Sequence, residues 1–154
     1  ARDRAPVVVG QLEVPQAATA AGFAAARARG ATTVLNPAPA APLGDDLLAA
    51  TVWLVPNEGE LAALGGGDAA DEAAALVRTD GTVLRAPAPV VTAVDTTGAG
   101  DAFVGTFAAR LAAGDAEERA LGAALRCAAD SVTRLGAQSS YPDPERAARL
   151  VAGV

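Results

Sequence analysis

The 154 residues predict an α/β fold, three layers deep, around an open and mostly parallel sheet within a single domain spanning residues 1–154. Three observations predict it. Short apolar, β-branched runs alternate with longer Ala-rich stretches of helical character. The links between them are short, as in βαβ units. Hydrophobic residues make up 51% of the chain and charged residues 19%, enough for a packed core and too apolar for disorder.

Val7-Val8-Val9 reads as a first buried strand, leading into Gln11-Leu12-Glu13. Pro15 starts an Ala-rich helix that ends at Gly30, with Arg27 and Arg29 placed to complement the helix dipole in its last turn. Thr32-Thr33-Val34-Leu35 is a second strand, stopped by Asn36-Pro37-Ala38-Pro39-Ala40, where two prolines forbid regular structure. A short helix through Leu47 and Leu48 precedes a third strand, Val52-Trp53-Leu54-Val55. Asp80-Gly81, between Leu76-Val77-Arg78-Thr79 and Thr82-Val83-Leu84-Arg85, is a hairpin signal. The β-branched run Val90, Val91, Thr92, Val94 leads into Asp95-Thr96-Thr97-Gly98-Ala99-Gly100-Asp101-Ala102-Phe103, which opens a helix through Leu111. In that helix Phe103, Phe107 and Leu111 recur every fourth residue and face the core. A further helix runs from about Ala116 to Val132, Leu135 to Pro142 is a loop, and Pro144 opens a last short helix.

Absences narrow the chemistry. With no Met the chain is expected to be a piece of something longer. With no Lys there is no P-loop lysine and no Schiff base. With no His there is no Ser-His-Asp triad, no Cys-His pair and no zinc site of the usual kind. The single Cys127 lies in an Ala-rich helical stretch and reads as a small buried filler. A net charge of −6 argues against nucleic acid as a partner. No apolar run approaches a membrane span and residues 1–6 lead into no signal-peptide core, so a cytoplasmic setting is expected. Asp, Glu, Arg, hydroxyls, backbone amides and metal ions remain.

The glycine loop carries the most information. Its two glycines let the backbone turn N–H groups inward at a helix N-terminus, which together with the dipole makes an anion pocket. Phe103, where a third glycine would fall, excludes a dinucleotide fingerprint. Asp101 sits at the lip of the pocket, where a carboxylate would repel phosphate unless it takes a proton from an attacking hydroxyl. The only two asparagines, Asn36 and Asn57, each follow a strand, where ligands gather in open α/β sheets. In Pro56-Asn57-Glu58-Gly59-Glu60, Asn57 and Glu60 form a capping box, or handle nucleotide phosphates and their Mg²⁺ through water, and both readings can hold at once. Glu13 is either part of a surface turn or a carboxylate for the hydroxyls of a polar ligand.

On these residues the chain resembles the ribokinase-like (PfkB) family of sugar kinases. The string Asp95 to Phe103 is similar to that family's second signature, and Gln11 to Pro15, Asn36 to Ala40, Pro56 to Glu60 and Thr133 to Ser140 follow in compatible order. The resemblance implies ATP-dependent phosphorylation of a sugar, D-ribose giving its 5-phosphate in the favoured case. Asp101 would be the base, and the amides of Gly98, Ala99 and Gly100 the anion hole. Glu13, with Asp101, would bind the sugar; Asn57 and Glu60 would serve ATP and Mg²⁺. Asp95, Thr97, Ser131, Arg134, Gly136 and Ser140 would surround a monovalent cation, K⁺, mostly through backbone carbonyls.

The departures from the family matter as much. Its N-terminal half, with the glycine-rich sugar-binding segment and the small β lid that forms the usual dimer surface, is missing here. The chain is therefore the truncated C-terminal, nucleotide-binding part, with weak or no turnover expected alone. Between Ala75 and Leu76 the family has a helix, a strand and a Thr-x-Gly turn. Here Asp71-Glu72-Ala73-Ala74-Ala75 runs almost straight into the hairpin, which by the resemblance would remove one strand from the sheet and part of the ATP site. Asp130 stands where the family carries an apolar residue. Two other readings remain: a non-catalytic remnant that binds nucleotide or a partner chain, and a sister kinase of another sugar or a nucleoside.

Overall fold

In the computed structural model, residues 6–57, 60 and 74–153 are described. Glu58 and Gly59 of the Pro56–Glu60 motif, and Asp71 to Ala73 before the hairpin, lie outside them, as do residues 1–5. The chain forms two compact units, residues 1–85 and 86–154.

The first unit carries a mixed sheet. β1 (Val7–Gly10), β2 (Thr32–Leu35) and β3 (Trp53–Leu54) are mutually parallel and adjacent in chain order. Helix α1 (Gln16–Arg27) crosses from β1 to β2, and α2 (Asp45–Ala50) from β2 to β3. Ala20 and Phe23 of α1, Leu35 of β2, and Leu47 and Ala50 of α2 form one buried cluster, against which Val8, Leu12, Leu43 and Leu54 pack. Gly10 is required where α1 crosses: a Cβ there would stand 2.8 Å from Thr19 Cγ2 and 2.9 Å from Phe23 Cζ. Arg27, in the last turn of α1, donates to the Ala49 carbonyl of α2 (2.6 Å), so it joins the two helices as well as complementing a dipole.

The hairpin forms, as β4 (Ala74–Arg78) and β5 (Val83–Ala86), and extends the sheet in the order β1-β2-β3-β4-β5. Gly81 takes φ +91° in the turn, and Asp80 Oδ1 accepts from the Thr82 N–H (2.9 Å). β4 is antiparallel to β3, with Trp53 opposite Arg78 and Leu54 opposite Val77. The Arg78 guanidinium lies 4.7 Å from the centre of the buried Trp53 ring.

In the second unit the run from Val90 to Val94 forms no strand, contrary to what its β-branched residues suggest. Val90, Val91 and Val94 are exposed. Helix α3 (Ala99–Ala112) packs against α4 (Glu117–Ser131) and α4 against α5 (Pro144–Ala152). Phe103 and Phe107 are buried and stacked, ring centres 6.5 Å apart, while Leu111 is only half-buried. Cys127 is buried in α4, and burial pushes its thiol up, which suits an inert filler. Asp143 caps α5 by accepting from the Arg146 N–H (2.8 Å), with Pro144 at the first helical position. No helix among the described residues is long and apolar enough to cross a membrane.

Candidate functional site

In the first unit the polar residues gather where the parallel strands end. The Asn36 N–H donates to the Gly10 carbonyl (3.0 Å) and its side-chain amide to the Val55 carbonyl (3.0 Å), which ties the ends of β1, β2 and β3 together. Asn36 Oδ1 accepts from Gln11 Nε2 (3.1 Å). Asn57 and Glu60 form the capping box: Asn57 Oδ1 accepts from the Glu60 N–H (2.8 Å), and Glu60 Oε2 from the Asn57 N–H (2.8 Å). Glu60 Oε1 also accepts from Asn57 Nδ2 (2.9 Å), and Asn36 Nδ2 reaches Oε2 at 3.4 Å. Glu60 is buried yet satisfied at both oxygens, while Asn57 stays exposed. Glu13 is exposed in the bend after β1, held there by the Leu12 N–H on the Ala38 carbonyl (2.8 Å), and takes no part in this network.

In the second unit the glycine loop is anchored to the segment after α4. The Val94 and Asp95 N–H groups both donate to the Val132 carbonyl (2.7 and 3.2 Å). Asp95 Oδ1 accepts from the Thr97 N–H (2.9 Å) and Oδ2 from the Gly136 N–H (2.8 Å), across 41 residues of chain. The Thr97 hydroxyl, the Gly136 N–H and the Thr97 N–H, in that order, pull the Asp95 carboxyl down to about 2. Gly98 then opens α3 in the left-handed region, at φ +79°. A Cβ there would meet the Tyr141 hydroxyl at 2.8 Å and Ala137 Cα at 3.2 Å, so glycine is needed on both grounds. The Ala99 N–H donates to the Thr96 carbonyl (3.2 Å) and is the least available of the three loop amides, which leaves those of Gly98 and Gly100. Asp101 is exposed on the first turn of α3.

The loop from Thr133 to Tyr141 is folded on itself. Gly136 turns it at φ +90°, the buried Ser140 hydroxyl donates to the Ala137 carbonyl (2.7 Å), and the buried Ser131 hydroxyl to the Ala128 carbonyl (2.8 Å). Of the six residues the family resemblance gives to a cation, Asp95, Thr97 and Gly136 meet directly. Ser131, Arg134 and Ser140 gather around a feature that sequence reasoning treated only as a departure. Asp130, buried at the end of α4, accepts from Arg134 (2.6 Å) and from Arg146 Nε (2.6 Å), and Arg146 adds a second contact. Arg134 also donates to the Ser140 carbonyl. An Asp in an apolar register followed by Arg134 four residues on was the available signal. Tyr141, against Gly98, was missed altogether; nothing in its spacing marks it.

These residues fit cations in different ways. Asp95 is a carboxylate held ionised beside a glycine-turned loop, with one backbone N–H on each oxygen and further lone pairs that a cation could use. Among the described residues no group of three or more His, Cys, Asp or Glu could hold a metal ion. Glu60 already accepts at both oxygens, so with Asn57 it suits an ion that keeps its water shell and is held chiefly by phosphates, as Mg²⁺ is.

A mixed α/β sheet with polar residues where its three parallel strands end, and a separate glycine turn opening a helix with an acidic first turn, define an α/β protein whose polar groups lie where open sheets and helix starts bind ligands. Residues 68–144 match the family model described as pfkB family carbohydrate kinase, and the chain belongs to that family. A ribokinase of Schizosaccharomyces pombe is 33% identical over 166 residues, covering 88% of this chain and 52% of the relative. The ribokinase structure of Arabidopsis thaliana, complexed with ribose and ATP, superimposes with a TM-score of 0.84 at 25% identity, over 95% of this chain and 55% of that one. The ribokinase of Thermotoga maritima gives a TM-score of 0.80 at 30% identity, over 95% and 56%. The chain spans about half the length of the curated relatives it matches. The yeast alignment, at 166 positions, is longer than the 154 residues of the whole chain, so residues of the relative stand opposite gaps here.

Proposed function

We propose that this chain carries the nucleotide half of an ATP-dependent sugar kinase, with D-ribose the favoured substrate. The observation that carries the reading is Asp101, exposed on the first turn of a helix opened by left-handed Gly98, in a chain of this family. Asp101 accepts the proton of the attacking sugar hydroxyl. The amides of Gly98 and Gly100, with a smaller part for Ala99, stabilise charge on the transferring phosphoryl group. Glu13 holds a sugar hydroxyl; Asn57 and Glu60 orient the ATP phosphates through the water shell of Mg²⁺. Asp95, Thr97, Ser131, Arg134, Gly136 and Ser140 would shape the seat of K⁺, which would supply fixed positive charge to the site. Positioning and electrostatics suffice for phosphoryl transfer, so neither Lys nor His is needed.

A second reading, a remnant that binds nucleotide and transfers nothing, is favoured by one observation: β3 pairs directly with the hairpin, where the family resemblance implies a further strand and a nucleotide-touching turn. One assay separates the two. ADP formation is followed with Mg-ATP, K⁺ and D-ribose, beside Asp101→Asn. Ribose-dependent turnover that disappears in the variant supports the kinase. Saturable ATP binding without turnover supports the remnant. Turnover that survives in Asp101→Asn refutes the role of that carboxylate.

A further inference from the structure

Tyr141 is the only tyrosine of the chain, and its hydroxyl faces the turn that opens α3. The residue leaves the short 3-10 turn Gln138–Ser140 in extended conformation, φ −66° and ψ 142°, which swings its ring out of the loop. The ring edge and the hydroxyl stand 3.1 and 2.8 Å from the position a Cβ would take on Gly98. Packing alone asks for no hydroxyl here. A phenylalanine would fill the same space, and the chain uses Phe at its three other non-indole aromatic positions, two of them (Phe103 and Phe107) stacked in α3. Among the described residues the Tyr141 hydroxyl has no hydrogen-bond partner, and it is not sealed from solvent, so it is open to a ligand. Burial, and then the negative charge of Asp101, push the phenol up, so it is a protonated donor that stands near the Asp101 carboxylate.

We propose that the Tyr141 hydroxyl is a further ligand-binding group of this site, donating a hydrogen bond to a phosphoryl oxygen held at the Gly98–Gly100 turn. The proposal rests on the kinase reading and adds to it a side-chain donor on the Tyr141 side of a pocket otherwise made of backbone amides. A neutral phenol suits that place. It donates to an anion without adding a positive charge that would bind Asp101 and disable it as a base.

Inorganic pyrophosphate, transparent in the near ultraviolet, is the probe. Its binding to the chain and to Tyr141→Phe is measured by calorimetry, and the near-ultraviolet tyrosine band of the parent is followed during the same titration. The expected result is affinity about tenfold weaker in Tyr141→Phe, the loss of one hydrogen bond to a charged acceptor, with an unchanged unfolding midpoint. In the parent the tyrosine band moves saturably with the calorimetric isotherm. Equal affinity in parent and variant with a stationary band overturns the role of Tyr141 and leaves the kinase reading standing. No pyrophosphate binding by the parent overturns both.

Discussion

Asp130 offers the sharpest test of how the second unit is held together. Its side chain is 6% exposed and is shared between Arg134 of the following loop and Arg146 of α5, whose own side chains are 33% and 47% exposed. Replacing it by Leu restores the apolar residue the family resemblance leads one to expect, yet strands two guanidinium groups. Removing one partner of a buried ion pair costs about 3–5 kcal/mol. Both arginines can turn to water, which brings the cost to about 2–3 kcal/mol. For a chain of this size that corresponds to a fall in Tm of about 5–10 °C.

The chain supplies its own probes for the measurement. Trp53, the only tryptophan, lies in residues 1–85, and Tyr141 in residues 86–154. Urea unfolding followed by each separately should show the loss at Tyr141. The triple variant Asp130→Leu with Arg134→Leu and Arg146→Leu should recover most of it, because no charge is then stranded. Burial by itself would raise the Asp130 pKa, but the hydrogen bonds from Arg146 and Arg134 outweigh it and the folded value is lowered. Its contribution is therefore complete above the ordinary carboxylate value of 3.8 and is lost as pH falls below that towards the folded value. A Tyr141-detected loss under about 1 kcal/mol at neutral pH, or a triple variant no better than the single one, would refute the reasoning.

Three other outcomes follow from the same geometry. Phe107→Ala, at a fully buried position, should cost about 3–5 kcal/mol by denaturant unfolding. Gly98→Ala should destabilise by more than about 1 kcal/mol and abolish pyrophosphate binding in calorimetry, since it combines a positive φ with a contact on Tyr141. Because Asp95 titrates near 2, any K⁺ dependence of nucleotide binding should be flat between pH 7 and pH 4, while a rise with pH across that range would place the responsible group elsewhere.

Much of this molecule could be read before its structure, and the exceptions have physical causes. β2 and the hairpin were legible because β-branched runs bounded by Pro, Asn and Gly leave little else to form. Helices α1 and α5 were legible from Pro at their starts. The Val90–Val94 run is β-branched yet exposed and forms no strand, because β propensity describes a side chain's fit to a pleated, half-buried surface and does not by itself make a strand. Asn57 and Glu60 were legible as a pair three residues apart, whereas the third member, Asn36, joins them from 24 residues away and no spacing rule reaches that far. Asp95 with Gly136, and Gly98 with Tyr141, are likewise long-range meetings. The glycines announced the turns, and only the fold names what the turns face.

The antiparallel contact between β3 and β4 puts the hairpin where the family resemblance implies a further strand. A parallel strand of two paired residues, beginning at the buried Trp53, cannot be left as an edge without exposing unpaired backbone groups. The hairpin covers that edge: the Thr79 N–H donates to the Val52 carbonyl (3.2 Å), and Arg78 lays its guanidinium over the Trp53 ring. An antiparallel partner needs no crossover helix, so a shortened chain can supply it directly. The functional consequence differs from the structural one. Backbone pairing is indifferent to which strand provides it, but a nucleotide contact is not, because a hairpin running the opposite way brings a different turn to each end of the sheet. A Trp53→Phe, Arg78→Ala pair of variants separates these effects. Loss of the cation-π contact should cost about 1 kcal/mol in the Trp53-containing unit, read from denaturant unfolding by circular dichroism. ATP affinity, measured by calorimetry, should not change. A parallel loss of ATP binding would mean that the hairpin has taken over part of the nucleotide site, and the strand was replaced in function as well as in fold.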